Sequence, residues 1–259
     1  MKKTFSALLA LMLVLCSLSA LGEQSGNEPT AAYLDDFTVT TADGSAFTLS
    51  EALKDHELVL INLWATWCGP CAYEFPFLQE AWMKNADKVA VIALSVEPKD
   101  TLEDVKAYAE DMGLTFPMGV TGDTGLEAFA SQGTPTSVII GKDSKIICVE
   151  VGVMTSAEDF EKLFEGYSGS NYNPDICTYT LHAVDEDQNP IAEVSFGLCT
   201  DTACRNVTTD GDGVAVFQGA PAQYHIQLVE APDGYEQELE DDYYTEPFDQ
   251  TIYIMIPKE

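Results

Sequence analysis

The 259-residue chain carries 43 acidic residues against 12 basic ones, a formal net charge of −31, and 46% of its residues are hydrophobic. Such a charge repels nucleic acid and anionic membrane surfaces, which excludes polyanions as partners and favours solubility or cationic partners. Six of the seven cysteines follow residue 22, an even number that suits one catalytic pair plus structural bridges in an oxidising compartment.

Met1-Lys2-Lys3 followed by an apolar run over residues 5–21 reads as the basic and hydrophobic regions of a secretory signal. Ala20-Leu21-Gly22 offers a small-x-small cleavage site, so residues 1–22 are expected to be a signal peptide and the location extracytoplasmic, secreted or in the cell envelope. Left uncleaved, the run is close to the minimum spanning length and would hold the chain on a membrane; no other segment is long enough. Residues 23–32 form a polar, flexible lead. Alternation over residues 33–41 and 46–49 around Ala42-Asp43-Gly44-Ser45 predicts a short hairpin, and Ser50 is placed as the cap of a brief helix toward Lys54.

The apolar run 58–64 then delivers Cys68 and Cys71 to a strand-to-helix turn. Cys68 is expected to cap the following helix, where unpaired N–H groups and the positive end of the dipole favour thiolate. Cys71, one turn on, is placed to attack a mixed disulfide at Cys68. Gly69 is read as allowing a tight turn, and Pro70 as presetting the first helical turn. The competing readings are half of a zinc site or a structural disulfide. Zinc needs a second ligand pair, and His56, His182 and His225 stand alone, so no metal site is assigned.

Trp67-Cys68-Gly69-Pro70-Cys71 resembles the active-site pentapeptide of the thioredoxin family, and the wider match resembles its extracytoplasmic TlpA/ResA-like branch. Asn62 stands where thioredoxins carry a buried Asp. Glu74, in Cys-Ala-Tyr-Glu-Phe-Pro, resembles the Cys-x-x-Glu-x-Pro of that branch, which implies that Glu74 replaces the Asp as proton acceptor.

A helix is predicted over residues 69–85 with a kink at Pro76, then a central strand over 89–97. Thr101 opens a helix that Gly113 ends; residues 116–120 are too short to assign, and 126–131 read as a small helix. The apolar run 137–140 follows Gly133-Thr134-Pro135-Thr136. The resemblance implies that Pro135 is cis and faces the redox pair, and that the Thr134 backbone pairs with an extended substrate segment. Trp67, Gly69, Pro70, Thr134 and Pro135 are accordingly the expected substrate-binding residues. A strand over 145–151 and a Ser156-capped helix over 157–167 complete a thioredoxin-like α/β domain over residues 33–167.

Residues 168–176 read as a linker. Short alternating strands near 178–184, 194–199, 207–208, 214–217, 224–229 and 251–256 predict an all-β sandwich over 177–259. Thr209-Asp210-Gly211-Asp212-Gly213 with Ala231-Pro232-Asp233-Gly234-Tyr235 resembles the prealbumin-like CnaB/SpaA modules. Their usual isopeptide lysine on the first strand is missing, since no Lys occurs between Lys162 and Lys258. Cys199 and Cys204 are expected to pair as a local disulfide; Cys148 and Cys177 either bridge the two domains or are buried separately. Residues 210–213 read as a hairpin turn rather than a calcium loop. The acidic stretch 236–242 with Tyr243 and Tyr244 reads as a solvated loop.

Together these features predict a secreted thiol–disulfide oxidoreductase, in the reducing direction by the resemblance. It needs no cofactor, acts on disulfide-bearing or dithiol client proteins, and draws electrons from a membrane thiol donor of the DsbD/CcdA type. The alternative is a cell-surface binding or adhesion protein in which the sandwich is the working module. A peroxiredoxin is excluded because Ala65 stands where that family wants Thr.

Overall fold

The computed structural model describes residues 32–169 and 172–259. The expected signal peptide, the lead up to residue 31, and Ser170 and Asn171 of the expected linker lie outside the described residues. Strands β1 (Thr38–Thr40) and β2 (Ala46–Thr48) form the hairpin, shorter than its alternating sequence suggests, and α1 (Leu49–Asp55) follows directly. Ser50 does not cap α1, because it already lies in the first turn. Its N–H and hydroxyl instead donate to Asp36 at 2.9 and 2.8 Å, so a carboxylate 14 residues upstream satisfies this helix end.

All seven residues of β3 (Leu58–Trp64) are buried, as are all seven of β4 (Val89–Ser95), as central strands covered on both faces require. Between them α2 (Gly69–Asn85) runs unbroken through Pro76. The strand expected to reach residue 97 ends at Ser95, where Ser95 and Glu97 turn to serve the active-site loop. A capping box between Thr101 and Asp104 opens α3 (Leu102–Met112), and Gly113 closes it in the left-handed region at φ 67°. Then come β5 (Met118–Val120), a 3-10 turn at Leu126–Ala130, β6 (Thr136–Gly141), β7 (Ile146–Val151) and α4 (Ala157–Tyr167), capped by Ser156. β3 is parallel to β4 and antiparallel to β6, which pairs antiparallel with β7. This is the expected thioredoxin-like order. Alternation along β3 divides the core: Val59, Ile61 and Leu63 face Leu49 and Leu126, while Leu60 and Trp64 face Phe75 of α2 and Phe160 of α4.

The chain then becomes all-β: β8 (Cys177–Val184), β9 (Ser195–Cys199), β10 (Cys204–Thr208), β11 (Val214–Gly219), β12 (His225–Glu230), β13 (Tyr243–Tyr244) and β14 (Asp249–Met255). A four-stranded sheet, β10-β9-β12-β13, covers β11-β8-β14 around Tyr179, Leu181, Phe196, Ile226, Ile252 and Ile254. Residues 210–213 make a tight turn, but not a hairpin: β10 pairs with β9 and β11 with β8, so the turn carries the chain from one sheet to the other. The Asp210 carboxylate accepts from the N–H groups of Asp212 and Val214, both at 3.0 Å, within that turn. Tyr243 and Tyr244, read as loop, pair with β12.

The two domains share one sheet. β14 lies parallel to β8 and, at Asp249 and Gln250, parallel to β7, giving eight strands in the order β11-β8-β14-β7-β6-β3-β4-β5. At this seam the Asp249 carboxylate accepts from the Tyr167 hydroxyl at 2.8 Å and the Thr178 N–H at 2.7 Å. Cys148 and Cys177 are buried, unbonded thiols. They sit on β7 and β8 with β14 between, and strands two apart are separated by about 9–10 Å, beyond the ~7 Å reach of a disulfide. Burial raises both thiols, Cys177 to about 11 and Cys148 well above its ordinary value, so both stay protonated at neutral pH.

Candidate active site

β3 ends at Trp64, and the chain turns through residues 65–67 onto Cys68, the extended N-cap of α2. The turn is closed by the Cys68 N–H donating to the Ala65 carbonyl at 3.0 Å, and the Cys71 N–H points at Cys68 Sγ from 3.2 Å. Cys68 and Cys71 are joined as a disulfide, and are 3% and 0% exposed. On reduction the same N–H and the helix dipole face the Cys68 sulfur and stabilise its thiolate. Pro70 occupies the first turn, where its missing N–H costs nothing. Gly69 is not in the left-handed region, and a Cβ there would meet no atom within 4 Å. The tight turn therefore does not need it; its bareness leaves the surface beside Cys68 open.

The approach to the cysteines is braced by residues the sequence did not single out. Asp100 accepts from the Thr66 N–H at 3.0 Å, the Thr66 hydroxyl at 2.7 Å and the Ser95 hydroxyl at 2.5 Å, tying the loop to the end of β4. Trp67, 70% exposed, donates its indole N–H to Glu97 at 2.9 Å. Across the disulfide the Thr134–Pro135 peptide is cis, and the Thr134 carbonyl oxygen lies 3.6 Å from Cys68 Sγ. The Pro135 carbonyl accepts from the Gly152 N–H at 3.0 Å, which fixes this loop to the end of β7.

Beneath the pair lies Glu74, fully buried one turn beyond Cys71. Asn62 of β3 donates to its Oε1 at 2.8 Å and the Met154 N–H to its Oε2 at 3.0 Å; Asn62 also reaches Ser137 at 3.3 Å. Burial raises the Glu74 carboxyl from its ordinary 4.5 to about 7, with the two donated hydrogen bonds pulling it partly back. A carboxyl poised near neutrality one turn from a buried cysteine can take up and return a proton that solvent cannot reach. The sequence pointed to Glu74 and Asn62 but not to Ser137, on β6, or the Met154 backbone, in the loop between β7 and α4.

Cys199 and Cys204 are also disulfide-bonded, as register partners on β9 and β10 in the C-terminal domain. No cluster of three or more metal-ligating side chains occurs among the described residues, and no helix among them is long and apolar enough to cross a membrane.

The Redoxin family model matches residues 29–164, and the SpaA model, a prealbumin-like fold domain, matches residues 177–251. The thioredoxin-like protein YneN of Bacillus subtilis is 31% identical over 178 residues, covering 63% of this chain and 98% of YneN. The thiol-disulfide oxidoreductase ResA of Bacillus anthracis is 34% identical over 136 residues, covering 51% of this chain and 72% of ResA. Among solved structures, a thiol:disulfide interchange protein of the thioredoxin family from Chlorobium tepidum TLS is 27% identical, covers 54% of this chain and 97% of its own, and superposes with a TM-score of 0.45. The chain thus belongs to the redoxin family, with a prealbumin-like fold domain following its redoxin domain.

Proposed function

We propose that this protein is a secreted thiol–disulfide reductase that works through Cys68 and Cys71 on extracytoplasmic client proteins and is recharged by a membrane thiol donor of the DsbD/CcdA type. Thiol–disulfide oxidoreductase activity follows from its redoxin homologues. The secreted location, the reducing direction and the donor are the finer parts of the reading, supported by the signal-like residues 1–22 and the resemblance to the TlpA/ResA-like branch. The observation that carries the site assignment is the helix-capping Cys68, bonded to Cys71 directly above a buried carboxyl.

In the reduced protein the Cys68 thiolate attacks one sulfur of a client disulfide. The client S–S bond breaks, its second sulfur leaves as thiolate and takes a proton, and a Cys68–client mixed disulfide forms. Cys71 passes its proton to Glu74 and attacks the Cys68 sulfur. This closes the Cys68–Cys71 bond and releases the remaining client sulfur as thiolate, so the client gains two electrons and the pair loses two. Thr134 and Pro135 hold the client backbone beside Cys68. The expected domain division, with residues 33–167 catalytic and 177–259 a second module, belongs to the same proposal.

The Cys71→Ser variant, mixed with a defined cystine peptide, is expected to accumulate a mixed disulfide at Cys68 visible by mass spectrometry, and Cys68→Ser none. The buried Cys148 and Cys177 do not compete. Adduct formation at Cys71 in the Cys68→Ser variant would contradict the roles assigned to the two cysteines.

A further inference from the structure

A groove of about 790 Å³ opens beside the redox disulfide. Pro70, Thr134 and Pro135 form its inner wall, and Gln188, Tyr243, Tyr253 and Met255 of the C-terminal domain form the outer one. The strand geometry explains the opening. β14 pairs with β7 only at Asp249 and Gln250. Beyond that point the chain leaving β7 bends at Gly152, φ 113°, toward the Pro135 carbonyl, while β14 continues alongside β8 to Met255. Alternation along β14 sends Ile252 and Ile254 into the domain core and turns Tyr253 and Met255 to the opposite face.

The outer wall is held in place. The Tyr253 ring stacks on His182 with centroids 4.5 Å apart, and its hydroxyl lies 3.2 Å from where a Cβ at Gly152 would stand. The Tyr253 N–H donates to Gln132 Oε1 at 3.3 Å, and the Met255 N–H to the Tyr243 hydroxyl at 3.4 Å. None of the thirteen lining residues, all among the described residues, carries a charge, although 21% of the chain is charged.

We propose that the C-terminal domain forms the outer wall of the client groove and selects an extended client segment whose residues flanking the reactive cysteine are uncharged and apolar. The inference rests on the oxidoreductase reading and deepens it. The groove reaches the disulfide through Pro70 and Thr134, whose carbonyl lies 3.6 Å from Cys68 Sγ, so a chain bonded to Cys68 can extend into it. An acidic side chain entering would lose solvation without a partner and meet the strongly negative surroundings. An aliphatic or aromatic one buries area against Tyr243, Tyr253 and Met255.

The test compares kcat/KM of the full mature chain for two cystine peptides that differ only in carrying Leu or Glu beside each cysteine. The wild type is expected to favour the Leu peptide about tenfold. Met255→Lys and Gln188→Lys, two independent substitutions on the outer wall, are each expected to shift that ratio toward the Glu peptide by about threefold. A loss of folded protein lowers both rates together and leaves their ratio unchanged. Equal rates for the two peptides in the wild type, or a ratio unmoved in both variants, would overturn the inference while leaving the oxidoreductase intact. Exchange of neither peptide by the wild type would overturn both.

Discussion

Replacing Glu74 by Gln is expected to stabilise the oxidised protein relative to wild type at pH 8 but not at pH 4.5, with the difference between the two proteins growing by about 3 kcal/mol across that interval. The folded carboxyl titrates near 7, above its ordinary 4.5, because it is buried. The native state therefore binds this proton more tightly than the unfolded chain does. Its contribution is fully present below pH 4.5, declines between 4.5 and 7, and is absent above. Gln titrates nowhere in this range and keeps an oxygen for the Asn62 amide. Urea unfolding of both proteins at pH 4.5, 6 and 8 checks the slope, since the other titrating groups cancel in the comparison. A pH-independent difference would show that Glu74 is not the perturbed group. The same substitution removes the proton acceptor for Cys71, so resolution of the Cys68 mixed disulfide should slow and lose its inflection near pH 7.

Phe75→Ala is expected to cost about 3–5 kcal/mol of stability. The side chain is fully buried and meets Trp64, Tyr108 and Phe116 with ring centroids 5.1, 6.0 and 5.8 Å apart, so its removal opens a cavity among rings that cannot collapse into it. Trp64 ends β3 and Phe75 follows Glu74, so this cluster also holds the two elements that present the cysteines. Met83, on the same helix and 68% exposed, is the control: Met83→Ala should change stability by no more than about 0.5 kcal/mol. Equal effects at the two positions would refute the packing described for α2.

What the sequence made legible follows the range of the forces involved. The runs that became β3 and β4 are apolar because both faces are covered, and Thr101 and Ser156 cap their helices through contacts three residues away. Such local or periodic signals can be read one residue at a time. Ser50 misled because its helix end is satisfied by Asp36, 14 positions earlier, rather than by its own hydroxyl acting as cap. The Asp100 brace depends on a loop 34 residues upstream and left no motif. Least legible was the seam. β14 pairs with β7 across a hundred residues of intervening chain, and that pairing separates Cys148 from Cys177, makes Tyr243 a wall residue and builds the groove. The chemistry was legible because two cysteines, a proline and a glutamate lie within seven residues. The surface that presents it to a client was not.

The reducing role is tested most directly by the redox potential of the Cys68–Cys71 pair, measured by equilibrating the mature protein in graded thiol/disulfide buffers and quantifying the disulfide by alkylation and mass spectrometry. A potential at or below about −220 mV is the result predicted for a reductase recharged by a membrane donor. A value near −120 mV, roughly that of a strong protein oxidant, would contradict it and make the protein a disulfide donor.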